Sequence, residues 1–184
     1  MPRHRFILFE GVDGSGKTSL AKLLAADLGG QYYHSPPQCL EPLRAYANSA
    51  TPQVRYRYYL LGNYITSHEL SKLLESFDVV VDKYLYSTIA FHQVLLKQKL
   101  ELPQDILLPD HIFFTTASKT TIEARLGKRE QITAYEGLNF LTEVDEAYKK
   151  LFQSNPKVTI IDTSGKTTDE SFVYLQNIFK ELKF

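Results

Sequence analysis

The segment from Gly11 to Thr18 has residue types and spacing that can bind phosphate. It reads Gly-Val-Asp-Gly-Ser-Gly-Lys-Thr and matches G-x-x-x-x-G-K-[ST] in full. Glycines let the backbone curl so that successive N–H groups point at phosphate oxygens, and a helix start adds partial positive charge. In this pattern Lys17 reaches the β and γ phosphates and the Thr18 hydroxyl is a ligand of Mg²⁺. The segment predicts a nucleoside triphosphate site, with a plain Gly-rich turn as the alternative. The predicted site comprises Gly11, Asp13, Gly14, Ser15, Gly16, Lys17, Thr18 and Ser19.

The phosphate-binding segment needs a strand before it and a helix after it, and the sequence supplies both. Short apolar runs predict buried strands at 6–9, 79–81, 111–115 and 157–161, with a weaker strand at 31–34. Amphipathic stretches between them predict helices at 18–28, 53–76, 87–97, 120–126, 137–152 and 168–182. This alternation predicts an α/β protein of the three-layer P-loop NTPase fold, with a parallel five-stranded sheet and helices on both faces. We expect one domain over 1–184, with a short lid near 126–136 and ligands at the carboxyl edge of the sheet.

Composition and charge exclude several classes of protein. Of the 184 residues, 43% are hydrophobic and 23% charged, a globular mix that excludes a disordered chain. Lys plus Arg and Asp plus Glu both number 21, so no bulk field steers the chain to nucleic acid or to an anionic membrane. The single cysteine, Cys39, cannot form an internal disulfide. No apolar run has the length of a membrane span or of a secretory signal. We expect a cytoplasmic protein with neither nucleic acid nor membrane as a partner.

The phosphate-binding segment alone is compatible with switches, motors, ATPases and small-molecule kinases. A GTPase would need the guanine-reading sequence N-K-x-D, which this sequence lacks. A chain of 184 residues has little room for the extra elements of a motor. The segment therefore indicates a nucleoside triphosphate site without indicating the reaction.

A second constellation follows the strand at 79–81 and resembles one particular family. Residues 82–91 read Asp-Lys-Tyr-Leu-Tyr-Ser-Thr-Ile-Ala-Phe and resemble the D-R-Y-x-x-S-x-x-A-[FY] segment of thymidylate kinases. Residues 9–18 are similar to the F-E-G-x-D-G-x-G-K-[ST] segment of the same family. Residues 35–39, 59–65 and 107–110 resemble the related mitochondrial UMP/CMP kinase branch. The resemblance covers nearly the whole chain and keeps the order of the motifs.

The resemblance implies a reaction, in which the γ-phosphoryl group of ATP passes to a pyrimidine nucleoside monophosphate or its deoxy form. We expect dTMP as the acceptor, Mg²⁺ as the cofactor, and a homodimer formed through helices on the face away from the phosphate-binding loop. Two alternatives remain open at this stage. One is a P-loop kinase for another pyrimidine nucleotide or a deoxynucleoside. The other is a catalytically weak nucleotide-binding protein.

The resemblance also implies catalytic roles. Lys17 and Mg²⁺ would hold the donor, and Asp82 with Thr18 would orient the metal. Lys83 stands where the family has an arginine, and a lysine is a point charge that cannot make the bidentate fork of arginine. Cations for the transferred group are expected from Arg125 and Arg129 at the start of the lid. The alternative for these two is a solvated basic helix end, favoured by the helix dipole.

The acceptor site implied by the resemblance departs from the family pattern at several positions. Family members stack an aromatic ring on the base, and Tyr59 stands at that position, with a purely structural core tyrosine as the alternative. Asn63 and Gln38 stand where the family has arginines, so Arg44 and Arg55 are the expected replacements for the acceptor phosphate. The remaining expected contacts are Asp13 at the sugar and Ser87 and Phe91 beside base and sugar.

We expect residues 162–166 to border the adenine of ATP, or else to form an ordinary capped turn. We expect His34, His68, His92 and His111 to pack or to face water, without a catalytic role.

Overall fold

Five parallel strands form one sheet in the computed structural model, which describes residues 4–127 and 137–182. The strands are β1 (Phe6–Glu10), β2 (Gln31–His34), β3 (Val79–Asp82), β4 (His111–Thr116) and β5 (Val158–Asp162). Their order across the sheet is β2-β3-β1-β4-β5, and every neighbouring pair is parallel. Leu8 in the centre faces Val81 on one side and Ile112 on the other. The predicted parallel five-stranded sheet is confirmed.

Seven α-helices within the described ranges connect and cover the strands. They are α1 (Lys17–Asp27), α2 (Glu41–Ser49), α3 (Pro52–Leu73), α4 (Leu85–Leu96), α5 (Lys119–Leu126), α6 (Leu138–Phe152) and α7 (Thr168–Glu181). None of the helices within the described ranges is both long and apolar enough to cross a lipid bilayer. Six of the seven correspond to predicted helices. The predicted lid falls mainly on 128–136, which lies outside the described residues.

Alternate side chains of the strands enter two separate cores. Ile7 and Phe9 pack with α1 and α7, in a cluster that includes Leu20 and Leu175. The neighbouring side chains of β1 enter a larger cluster on the other face, together with Leu70, Ile89, Leu141 and Tyr148. Because β-strand side chains alternate between faces, an apolar run such as β1 requires cover on both sides. The arrangement confirms the predicted three-layer α/β architecture.

Helix α2 was not predicted from the sequence. It buries only Ala47, while Leu43 and Tyr46 on the same helix are exposed. Leu43, Tyr46 and Ala47 share one face of this short helix, but only Ala47 is covered by the rest of the protein. Ala47 packs with Leu40 and Tyr58 in a small third cluster, which places α2 beside the start of α3.

Candidate active site

The loop between β1 and α1 adopts a conformation that requires glycine. Gly11, Gly14 and Gly16 all have positive φ, at 143°, 84° and 90°. A Cβ atom on Gly11 would lie 2.3 Å from the carbonyl oxygen of Thr115 in β4, which no side chain can tolerate. The loop therefore runs tightly over the carboxyl end of the sheet and leads directly into the N-terminus of α1. This is the geometry in which backbone N–H groups and a helix dipole can bind phosphate.

One cavity, which we name the donor cavity, opens beside this loop and has a volume of about 410 Å³. Most residues predicted to bind the triphosphate line it: Asp13, Gly14, Gly16, Lys17, Thr18 and Ser19. Gly11 and Ser15 do not line it, and the Ser15 hydroxyl is instead buried 2.8 Å from that of Thr115. The opposite wall comes from Arg125, Thr163, Lys166, Thr167, Thr168 and Ser171. Part of the segment expected to border adenine therefore lines the same cavity as the phosphate-binding loop, and its Thr163 hydroxyl donates to the Ser15 carbonyl at 2.9 Å.

A second cavity, the acceptor cavity, has a volume of about 340 Å³ and lies between β2, α3 and α4. Six of the residues predicted to bind the acceptor line it: Asp13, Arg44, Arg55, Tyr59, Ser87 and Phe91. Sequence analysis missed several others, among them Ser35, Pro36, Asn48, Tyr84, Thr88 and His92. These residues come from separate segments, so no local pattern in the sequence marks them as a group.

Asn63 differs from the other predicted acceptor residues, because it does not line the cavity. It is 1% exposed, and its Nδ2 donates a hydrogen bond of 2.9 Å to the Thr88 hydroxyl. Thr88 does line the cavity. The structure therefore places Asn63 behind the wall, where it holds a lining residue.

Arg55 lies between the two aromatic side chains expected near the base. Its guanidinium carbon is 5.4 Å from the ring centre of Tyr59 and 4.8 Å from that of Phe91. The Tyr59 hydroxyl donates to Asn48 Oδ1 at 3.0 Å, which fixes the ring at the cavity wall. The guanidinium of Arg55 therefore lies within cation–π distance of both rings.

Three residues line both cavities: Asp13, His34 and Lys83. Asp13 Oδ1 accepts hydrogen bonds from Lys83 Nζ at 2.9 Å and from Lys17 Nζ at 3.1 Å. The charge of Lys17, aided by that of Lys83, holds the pKa of Asp13 well below its usual range. Partial burial opposes the charged form of Lys83, but the charge of Asp13 outweighs it and raises the pKa of Lys83. A carboxylate between two ammonium groups thus stands where donor and acceptor phosphates would meet.

Asp82 at the end of β3 is suited to hold a divalent cation. It is fully buried, and its Oδ2 accepts from the Thr18 hydroxyl at 2.6 Å and the Tyr32 hydroxyl at 3.1 Å. Its other oxygen, Oδ1, is buried and has no hydrogen-bond partner within the described residues. Burial alone would raise the pKa of Asp82, but a hydrogen bond from His34 and the charge of Lys17 lower it to about 2. A free carboxylate oxygen beside a threonine hydroxyl is the donor set that Mg²⁺ prefers.

Across residues 4–127 and 137–182, no group of three or more acidic, histidine or cysteine side chains could hold a metal ion. This fits Mg²⁺ at a phosphate site, since that ion is normally bound by one or two protein oxygens together with phosphate oxygens and water. Thr18 and Asp82 could supply two such oxygens.

Glu10, the last residue of β1, is a site residue that sequence analysis did not single out. Its Oε1 accepts from the backbone N–H groups of Tyr84 and Ser87, each at 3.1 Å, and its Oε2 accepts from the Tyr148 hydroxyl at 2.9 Å. Burial raises its pKa to about 7. The carboxyl group caps the N-terminus of α4 and so fixes the corner that carries Lys83. The signals in the sequence are an acidic residue at the end of an apolar run and the glutamate of the F-E-G segment that residues 9–18 resemble.

Arg125 connects the two walls of the donor cavity. Its Nη1 donates to the Gly14 carbonyl at 3.0 Å and to the Thr163 hydroxyl at 2.9 Å. Its Nη2 donates to the carbonyls of Thr163 and Lys166, at 3.0 and 3.2 Å. The guanidinium therefore ties the phosphate-binding loop to the loop after β5. Arg129, the second predicted cation, lies outside the described residues.

Comparison with known proteins shows what the chain is similar to. A family model described as thymidylate kinase matches residues 9–171. A probable thymidylate kinase of Methanocaldococcus jannaschii is 31% identical, covering 97% of this chain and 99% of the relative. Human mitochondrial UMP-CMP kinase 2 is 27% identical over 97% of this chain but only 44% of its own length. A solved structure of thymidylate kinase from Candida albicans shares the fold, with a TM-score of 0.77 at 22% identity over 97% of this chain and 92% of that one.

The family match covers most of the chain, and it includes the phosphate-binding loop, the Asp82–Lys83 corner and both cavities. The resemblance stated from the motifs is thereby confirmed. The chain belongs to the thymidylate kinase family and is an ATP-dependent nucleoside monophosphate kinase.

Proposed function

We propose that this chain transfers the γ-phosphoryl group of ATP to dTMP and releases ADP and dTDP. The observation that carries this proposal is the meeting of the donor and acceptor cavities at Asp13 and Lys83. Two separate cavities with a shared cationic wall suit the in-line transfer of a phosphoryl group between two bound nucleotides. The names of the relatives support thymidine monophosphate as the acceptor.

On the donor side, the loop N–H groups and Lys17 bind the β and γ phosphates of ATP. Mg²⁺ held by Thr18 and Asp82 supplies charge neutralisation at the donor phosphates when bound. An oxygen of the dTMP phosphate forms the new bond to the γ phosphorus. The bond from that phosphorus to the β–γ bridging oxygen breaks, and ADP leaves. Lys83 exchanges its bond with Asp13 for one with phosphate and balances charge there.

On the acceptor side, Tyr59 and Phe91 provide flat surfaces for the base, and Ser87 lies beside them. Arg44 and Arg55 provide the cations for the monophosphate in place of the arginines that the family has at positions 38 and 63. Arg55 exchanges its contacts with the Tyr59 and Phe91 rings for the phosphate and so leaves the rings to the base. Asp13 accepts from the sugar hydroxyl once Lys83 has turned to phosphate. Asn63 acts indirectly, through its hydrogen bond to Thr88.

We assign lid cations to Arg125 and Arg129. The position of Arg125 in the lining of the donor cavity supports this role. Its hydrogen bond to Thr163 also holds the loop after β5 in place. It needs no large movement to approach the donor phosphates, because its guanidinium already contacts the phosphate-binding loop.

We propose that the chain acts in the cytoplasm as a homodimer. Leu61 and Tyr64 on the outer side of α3 are 50% and 36% exposed and provide apolar surface for such a contact. The single cysteine, Cys39, is free and exposed, which suits a reducing compartment. Light scattering on wild type and Leu61→Glu tests the assembly; a wild-type monomer at micromolar concentration contradicts it.

A coupled assay of ADP release tests the proposed reaction, with dTMP, dUMP, UMP, CMP and deoxynucleosides as acceptors. We expect the highest kcat/KM with dTMP, a requirement for Mg²⁺, and loss of turnover in Lys17→Ala. Turnover with deoxynucleosides alone would overturn the choice of acceptor. ATP binding without acceptor-dependent turnover would identify the catalytically weak nucleotide-binding protein instead.

A further inference from the structure

His92 lies in α4 on the wall of the acceptor cavity and is only 2% exposed. Its Nδ1 is 2.7 Å from the carbonyl oxygen of Thr88, one helical turn earlier. Because a carbonyl oxygen only accepts hydrogen bonds, Nδ1 carries the ring proton. The other nitrogen of a neutral imidazole then has a lone pair. His92 therefore presents a hydrogen-bond acceptor, Nε2, on the side of the ring that faces away from its own helix backbone.

The surroundings of His92 keep the ring neutral. Burial lowers its pKa to about 4, and the positive charge of Arg55 acts in the same direction. The rings of Tyr56, Tyr59 and Phe91 surround the imidazole, with centre-to-centre distances of 5.4, 5.7 and 5.1 Å. None of these three side chains presents an ionic group that could stabilise an imidazolium. At neutral pH the lone pair on Nε2 can therefore accept a hydrogen bond.

Nε2 of His92 is buried and has no hydrogen-bond partner within the described residues. Buried polar atoms in folded proteins are normally paired, so this atom requires an explanation. His92 shares its cavity with Tyr59 and Phe91, the two rings that offer flat surfaces to a base. Nε2 itself is covered by its neighbours, so a base bound against those rings would reach it as the covering side chains shift. A donor on the polar edge of such a base would be the partner that this atom lacks.

We propose that Nε2 of His92 accepts a hydrogen bond from the ring N3–H of a thymine or uracil base, and so selects these bases against cytosine. The inference rests on the proposed function, because it assumes a pyrimidine monophosphate in the acceptor cavity. Thymine and uracil carry a hydrogen on N3. Cytosine carries a lone pair on N3, which would oppose the lone pair of Nε2. A site built around a buried acceptor rejects a ligand that lacks the matching donor.

Calorimetric titration with dTMP, N3-methyl-dTMP and dCMP tests this role in wild type, His92→Phe and His92→Gln. We expect wild type to bind dTMP at least about tenfold more tightly than either of the other two. His92→Phe keeps an aromatic ring but removes the acceptor, so dTMP affinity should fall about tenfold and the dTMP-to-dCMP ratio should approach one. His92→Gln retains a carbonyl acceptor and should keep part of the preference.

His111→Phe is the matched control. His111 is also buried, but it lies in β4 with its ring bonded to the Thr159 hydroxyl, and it does not line the acceptor cavity. This variant should keep the wild-type ratio. Thermal melting followed by circular dichroism checks that each variant is folded. If His92→Phe does not fold, the wild-type comparison of dTMP with N3-methyl-dTMP still decides.

Three results would overturn the role of His92: an unchanged dTMP-to-dCMP ratio in folded His92→Phe, equal wild-type affinity for dTMP and N3-methyl-dTMP, or tighter binding of dCMP. Because titration needs no turnover, these results are independent of the kinase assay. Absence of dTMP turnover together with His92-dependent binding would overturn the proposed reaction and leave the base selection standing.

Discussion

Lys83 Nζ lies 2.9 Å from Asp13 Oδ1, and this ion pair stands where the donor and acceptor cavities meet. Lys83 directly follows Asp82, whose free oxygen and neighbouring Thr18 hydroxyl suit Mg²⁺. One corner of the sheet therefore carries both a candidate metal ligand and a cation for the acceptor.

Replacing Lys83 by alanine removes a cation that is positioned before the reaction begins. We expect kcat with dTMP to fall by about 100-fold or more, the usual cost of losing one charge-stabilising donor. Lys83→Arg should retain most of the rate, because the charge is kept. Steady-state kinetics measures both, with the exposed lysine Lys99→Ala as a control. A kcat in Lys83→Ala within about threefold of wild type would contradict the assignment.

The backbone of Lys83 has a positive φ of 65°, which is unfavourable for a residue with a side chain. Lys83→Gly and Lys83→Ala both remove the ammonium, but only glycine adopts this conformation without strain. We expect the glycine variant to be more stable to urea than the alanine variant by about 1 kcal/mol. Both should lose activity. Equal unfolding free energies of the two variants would show that the backbone at residue 83 changes conformation when alanine is present, and would contradict the predicted strain.

Glu10 should make stability depend on pH. Its pKa is about 7 in the folded protein against an ordinary value of 4.5, so the folded state binds the proton more tightly. Its contribution is therefore complete at low pH and is lost as the pH rises through 7. Glu10→Gln imitates the protonated form and should gain about 3 kcal/mol in unfolding free energy relative to wild type between pH 5 and pH 8.

Urea unfolding at several pH values measures this gain, and Glu75→Gln, which changes an exposed carboxyl, should leave the wild-type profile unchanged. A constant difference between Glu10→Gln and wild type across the range would contradict the raised pKa of Glu10.

Arg125 makes four hydrogen bonds that join the walls of the donor cavity. We expect Arg125→Ala to raise the KM for ATP about tenfold and to lower the unfolding free energy by about 2 kcal/mol. Arg125→Lys should rescue little, since lysine lacks the planar fork. Glu123→Ala, an exposed change on the same helix, is the control. Loss of kcat with unchanged stability and KM would instead assign Arg125 a purely catalytic role.

Tyr59 should contribute to acceptor binding through its ring rather than its hydroxyl. Tyr59→Ala should raise the KM for dTMP about 10- to 100-fold, the range expected for one stacked base. Tyr59→Phe loses the hydrogen bond to Asn48 but keeps the ring, so its KM should change far less. Tyr46→Ala on α2, where the side chain is exposed, serves as a control. Equal effects of the alanine and phenylalanine variants would contradict stacking.

The sequence alone determined the sheet, the phosphate-binding loop and the Asp82–Lys83 corner. The individual strands, the loop and the corner each depend on residues that are consecutive in the chain, whereas the order β2-β3-β1-β4-β5 pairs strands that are distant in sequence. Local backbone geometry fixes their structure, so a pattern read along the chain is sufficient to identify them. The same holds for Lys17 and Thr18, whose positions follow directly from the turn.

The tertiary structure alone decided which side chains face the acceptor. Helix α3 carries tyrosines at several positions, and the sequence pattern does not distinguish their environments. Tyr58 is buried and its hydroxyl donates to the Leu40 carbonyl, whereas Tyr59 lines the acceptor cavity. Asn63, at a position expected to contact the acceptor, is turned into the interior.

Glu10 and Arg125 also make contacts that no local sequence pattern predicts, because their partners are far away in the sequence. Glu10 meets Tyr148, 138 residues later, and Arg125 meets Gly14, 111 residues earlier. Such pairs form only when the sheet order brings separate loops to one edge. Local sequence determines which residues are able to do chemistry, whereas the packing of distant elements determines which of them meet, because burial and hydrogen-bond pairing are properties of the whole folded chain.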